Sequence, residues 1–146
     1  MRGPLKRLTV MGAALALMAA APADLVLGEW LTQDRDGVIR IQGCERGLCG
    51  SVVGLTGFKP DGTPPRDVNG QTQCGLPIIT DAMRSGSGVW FGHIRNPEDG
   101  RVHDIELSVD AQGRLHMRGY VGVPLLGKTV VWTRYHGRLT QDCFMS

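Results

Sequence analysis

Along residues 102–109, VHDIELSV, apolar and polar side chains alternate one for one. Ile105, Leu107 and Val109 fall on one face, and Asp104, Glu106 and Ser108 fall on the other. In LHMRGYVG (115–122), Leu115, Met117 and Val121 likewise oppose His116, Arg118 and Tyr120. A period of two belongs to a strand with one buried face and one wet face, the usual condition of antiparallel sheets. Short β-rich segments recur as GEWLTQ (28–33), VIRIQG (38–43), LCGSVVGLT (48–56), VWFGHIR (89–95) and KTVVWTRY (128–135). Polar turns at 34–37, 96–100 and 110–113 separate them. GLPIITDAM (75–83) fits a short strand or a helical turn equally well. The pattern predicts an all-β fold: a small antiparallel up-and-down barrel of about eight strands, preferred over a sandwich because closure removes exposed edges.

The first residues follow a different rule. MRGPLKR carries three positive charges and no acid, and the weakly apolar run LTVMGAALALMAAA and then Ala21-Pro22-Ala23 come next. These are the three parts of a secretory signal peptide. The run of 14 residues is shorter than the roughly 20 that a membrane-spanning helix needs. Cleavage after Ala23 is expected, giving a signal peptide at 1–23 and one β-barrel domain at 24–146, periplasmic or secreted and not membrane-spanning. Loss of Arg2, Lys6 and Arg7 takes the formal charge from +2 to −1. A near-neutral domain lacks the basic footprint of a nucleic-acid binder, so no nucleic-acid partner is expected.

Export changes the reading of the cysteines. Four of them, Cys44, Cys49, Cys74 and Cys143, suit two disulfides better than a redox pair, because Cys-x-x-Cys is absent. Zinc is disfavoured too, since only one closely spaced pair exists. In CERGLCG (44–50) a hairpin tip at Arg46-Gly47 would set Cys44 and Cys49 directly opposite each other, within disulfide reach. Gly47 would supply the positive φ of the turn. By elimination Cys74 pairs with Cys143, tying the C-terminal tail to a mid-chain loop. The chain-entropy model assigns about 2 kcal/mol to the short loop and about 4 kcal/mol to the long one.

That mid-chain loop, GFKPDGTPPRDVNGQTQC (57–74), breaks the strand rhythm with three glycines and three prolines. Loops of this length in compact domains usually carry function or mobility. The connection PLLG (124–127) presents Leu125 and Leu126 as an apolar pair, suited either to a partner or to a lid over the barrel end.

Several blocks together resemble an exported bacterial family catalogued as domain of unknown function 2147. They are GEWLT, CERGLCGSVV, the Asp67-x-Asn69 ahead of CGLPII, WFGHIRNPEDGRVH and GYVGVPLLGKTVVWTR. The resemblance spans nearly the whole mature chain and implies a small lipocalin-like barrel without implying a particular activity. His103 stands where such sequences usually carry an aromatic residue, typically tyrosine. Trp30 in GEW also has a physical reading: a first-strand tryptophan plugs one barrel end while Arg134 from the last strand packs over its ring, a contact worth roughly 0.5–2 kcal/mol.

Candidate chemistry is sparse. His93 shares a face with Val89 and Phe91, and His103 shares one with Ile105 and Leu107, so the two are expected to meet in the interior if their strands are neighbours. No carboxylate joins them, and metal sites usually need three protein ligands. Neither a nucleophile elbow nor a calcium loop nor a phosphate cradle is present, and NPEDG reads as turn grammar. No catalytic residue, metal or cofactor is expected. The expected role is binding of a small apolar or amphipathic ligand, with Trp90, His93, His103, Tyr120 and Arg134 as candidate lining. The alternative is a side-chain-filled barrel that engages another exported protein.

Overall fold

The computed structural model describes residues 3–4, 12–14, 25–122 and 127–146. The expected leader with its cleavage point at Ala23, and the Leu125–Leu126 pair, lie outside the described residues. Eight strands, β1 (Gly28–Leu31), β2 (Gly37–Gly43), β3 (Leu48–Leu55), β4 (Pro77–Arg84), β5 (Trp90–Arg95), β6 (Val102–Val109), β7 (Leu115–Tyr120) and β8 (Lys128–Arg134), follow one another around a closed antiparallel barrel. The last strand returns to the first through Trp30↔Arg134 and Leu31↔Thr133.

The ambiguous segment is β4. Its alternation breaks because the register shifts between Thr80 and Met83, where Asp81 takes a φ of 53°. This bulge lets Ile78, Ile79 and Ala82 all be buried, a spacing that mimics a helical turn.

The strands' alternation fills one half of the barrel. Trp30, Ile41, Ile79, Ile105, Leu107 and Leu115 are fully buried inside, with Leu48, Trp90 and Trp132 close to it. Two inward glycines permit this density. A Cβ on Gly50 would lie 3.0 Å from Ile79, and one on Gly92 would lie 2.8 Å from the Ala82 backbone.

At this end the β1–β8 seam is plugged. The Arg134 guanidinium sits 3.8 Å above the Trp30 ring. It donates to the main-chain carbonyls of Leu25 and Leu27, while the Trp30 indole N–H donates to the Val26 carbonyl at 2.8 Å. Gly28, at φ 119°, leaves space for the guanidinium, since a Cβ there would come within 2.6 Å of Arg134 Nη1. Burial holds the Arg134 pKa below its ordinary value.

Both expected disulfides form. Cys44 and Cys49 have Cα atoms 5.9 Å apart, but they are not directly opposed: Cys49 faces Gln42, and Cys44 begins a four-residue turn closed by Gly47. The bond is therefore diagonal across the turn. Cys74 and Cys143, with Cα atoms 5.7 Å apart, anchor the C-terminal segment. That segment returns along the outside of β3, where Leu55 N–H donates to the Cys143 carbonyl and Phe144 stacks on Phe58. Leu139 packs against Gly54, where an added Cβ would come within 2.8 Å of it.

Replacing Trp30 by Ala is expected to cost about 3–5 kcal/mol, as for other buried aromatics. Arg134→Ala should cost about 1–2 kcal/mol. Urea denaturation of the two single variants and the double variant measures both values, and less-than-additive losses are expected if the two side chains act as one plug.

Candidate functional site

The end opposite the plug is built differently. Here the inward positions at the ends of β5 and β7 and the starts of β4, β6 and β8 do not fill the lumen. They surround a cavity of about 460 Å³ lined by Ile78, Ile94, Met117 and Val130, with Arg95, Asn96, Pro97, His103, Gly119 and Lys128 among its wall residues. This size falls in the ordinary range of small-molecule sites. A larger cleft of about 600 Å³ continues from it across Ile78, Asn96 and Pro97 toward Asp34, Asp36 and Glu98.

Gly119 is what keeps the wall open. It faces inward between Met117 and the β8 start, and a Cβ added there would meet only Ile105 Cγ2, at 4.0 Å. The contrast with Gly50 and Gly92 is physical: those two let strands and side chains approach, whereas Gly119 leaves a space.

The long loop folds over the rim of this end. The Asp67 carboxylate accepts from the backbone N–H groups of Asn69 and Gln71, at 2.9 and 2.8 Å, and Val68 N–H donates to the Pro97 carbonyl at 2.8 Å. The Asp67 side chain is fully buried, and its Oδ2 has no hydrogen-bond partner. That oxygen faces Arg95 Nη1 at 3.8 Å, an ion pair too long for a hydrogen bond.

The five expected lining residues part company. His103 lines the cavity, opposite Ile94 in the β5–β6 register. Trp90 faces inward, but in the filled half, where its indole N–H is buried without a partner. Arg134 belongs to the plug. The expected interior meeting of His93 with His103 does not occur. Trp90, Gly92 and Ile94 take the inward phase of β5, so His93 points outward with Phe91. His93 and Tyr120 flank Asp104 on the outer face, with His93 Nε2 3.3 Å from Asp104 Oδ1. Such a half-exposed pair contributes about 0–1 kcal/mol. Burial, then the charges of Asp104 and Glu106, raise the Tyr120 phenol above its ordinary pKa and keep it neutral.

Sequence reasoning missed Arg95, Lys128 and Gly119. A usable signal was the strand phase: two large apolar residues, Trp90 and Ile94, share a face with Gly92, which marks that face as inward. Lys128 was beyond reach, because its place beside Gly119 depends on the β7–β8 register.

Among the described residues no group of three His, Cys, Asp or Glu side chains converges as a metal site, and no helix is long and apolar enough to cross a membrane. His116, at 2.7 Å from Asp110 Oδ2, serves a turn: Asp110 also accepts from the backbone N–H groups of Gln112 and Arg114 and from the Arg114 side chain.

A closed eight-strand barrel, plugged at one end and hollow at the other, has lipocalin-like architecture. The profile described as "Uncharacterized protein conserved in bacteria (DUF2147)" matches residues 28–134, and the chain belongs to this family. Among solved structures it is similar to a Helicobacter pylori protein described as belonging to the lipocalin family. The TM-score is 0.60 at 17% identity, covering 75% of this chain and 82% of the other. No curated protein sequence matches the chain. Two disulfides point to an oxidising, extracytoplasmic environment.

The hydrogen bonds to Asp110, led by the Arg114 backbone N–H and then His116, hold its pKa well below 3.8. A depressed carboxylate stabilises the fold fully above its unfolded pKa and loses that contribution as pH falls. Asp110→Asn should therefore lower stability at neutral pH and leave a shallower decline below about pH 4, as read from melting temperature against pH.

Proposed function

We propose that the protein is an exported, periplasmic or secreted binding protein that holds one small apolar or amphipathic molecule in the open half of its barrel. The leader at 1–23, with cleavage near Ala23, supports export, and the disulfides agree with it. The observation that carries the binding reading is the cavity of about 460 Å³, whose deep wall is Ile78, Ile94, Met117 and Val130 beside the unfilled position Gly119. His103 is the member of the expected site that reaches this molecule. Trp90 forms the floor-side packing, and Arg134 closes the far end. His93 and Tyr120 have no role in ligand contact in this reading.

The Gly119→Leu variant tests it directly. Leucine there fills the cavity at a backbone conformation open to any residue, so the fold should keep or slightly raise its stability. Binding of the uncharged fluorophore N-phenylnaphthylamine should weaken at least tenfold. Unchanged binding by a folded variant would refute the cavity as the site.

A second reading, docking of an exported protein at the same end, is favoured by the exposed valines Val68, Val102 and Val121. The loop tip at 60–65 is a turn, with Gly62 N–H donating to the Lys59 carbonyl and the Asp61 carboxylate accepting from Thr63 N–H. It is tied to the rest of the loop where the Pro65 carbonyl accepts from Gln73 N–H. Deleting it should spare N-phenylnaphthylamine binding and abolish a partner-dependent activity. Loss of fluorophore binding on deletion would instead make the loop part of the small-molecule site.

A further inference from the structure

The cavity is apolar in depth but not at its entrance, where its two charged wall residues, Arg95 and Lys128, are both cations and His103 adds an imidazole. Arg95 at the end of β5, His103 at the start of β6 and Lys128 at the start of β8 are all wall residues, and among the described residues no carboxylate lines the cavity with them. Among the described residues neither the His103 nor the Lys128 side chain has a hydrogen-bond or ion-pair partner. Arg95 has one carboxylate near it, Asp67, held at 3.8 Å by two backbone bonds to its other oxygen. That distance places Arg95 at the wall without engaging its donors in hydrogen bonds to Asp67. Three acids of this barrel end, Asp34, Asp36 and Glu98, lie along the adjoining cleft. Acids thus line the cleft, whereas the charged residues lining the apolar pit are Arg95 and Lys128.

Resting on the binding reading above, we propose that the cavity selects amphiphiles with a single anionic headgroup. The apolar body enters between Ile94, Met117 and Val130, and the headgroup meets Lys128, His103 and Arg95. A cation beside apolar walls gains most from a charge-assisted bond when the ligand tail has displaced water around it. A neutral amphiphile of equal size forgoes that bond and leaves the cationic groups facing its own uncharged end. Asp67 is a positioning residue: it fixes where Arg95 stands and touches no ligand itself.

The test uses the disulfide-bonded protein and displacement of N-phenylnaphthylamine by decanoate and by decanol, two probes with the same alkyl chain. Decanoate should bind roughly tenfold more tightly than decanol, the effect of about one charge-assisted hydrogen bond. Raising the salt concentration should narrow that gap. Lys128→Gln, at an exposed position, should remove most of the preference by weakening decanoate, and His103→Gln should act in the same direction more weakly. Arg95→Gln leaves a buried carboxylate unmatched, so the double variant Arg95→Gln with Asp67→Asn is measured beside it. Restored stability with a lost decanoate preference supports the assignment. Equal affinity of the wild-type protein for both probes, or a preference untouched by Lys128→Gln, overturns the headgroup proposal and leaves the cavity reading standing. Failure of the wild-type protein to bind N-phenylnaphthylamine, decanoate and decanol overturns both.

Discussion

The stack of Arg134 on Trp30 joins the first strand to the last, and the division of the barrel into two unlike halves depends on it. The β1–β8 seam is short, with two paired positions on each strand. Its closure relies on the indole filling the lumen, and on the guanidinium covering the ring while binding carbonyls just upstream of β1. With one end sealed, the large apolar residues of the neighbouring strands have a floor to pack on. Trp90, Trp132, Leu107 and Leu115 complete a dry core there. The same arrangement commits a partly wet, open space to the other end.

The two disulfides serve the two ends unequally. Cys44–Cys49 braces a hairpin at the plugged end, where packing is already dense. Cys74–Cys143 joins the long loop over the mouth to a tail that originates at the opposite end. The loop would otherwise be held by Asp67, by the Val68–Pro97 hydrogen bond and by a few contacts with β3. The bridge thus stabilises the part of the molecule that frames the cavity and contributes least to the core. This is the part where an oxidising environment matters most.

The chemistry of the outer surface is largely turn and strand chemistry. His93 with Asp104, and His116 with Asp110, look like dyads when read as pairs. Both sit on solvent-facing positions, however, and the second completes the hydrogen bonds of a β6–β7 turn. What distinguishes the mouth is the combination of apolar depth, a vacant glycine position, an Arg95 held only loosely by Asp67, and a Lys128 side chain without a partner among the described residues.

Much of this was legible along the chain because strand formation is a local matter. The alternation in 102–109 and 115–122 named Ile105, Leu107, Leu115 and Met117 correctly as inward, although Val121, grouped with them, lies past the end of β7 and is exposed. The cysteine pairing followed from compartment and spacing, and GEW with Arg134 announced the plug. β4 was obscured by a bulge at Asp81, which breaks the period of two on which strand recognition rests. The inward phase of β5 was misjudged, because both of its faces carry aromatic residues and only packing decides between Trp90 and Phe91. The cavity itself was beyond any one segment. Ile94 and His103 become neighbours through the β5–β6 register, Gly119 and Lys128 through the β7–β8 register, and Arg95 meets Asp67 only after an 18-residue loop folds back over the rim. Alternation determines which side of a strand is dry. Whether that dry side is filled or hollow depends on summed side-chain volume across strands, and the closed barrel alone sets that sum.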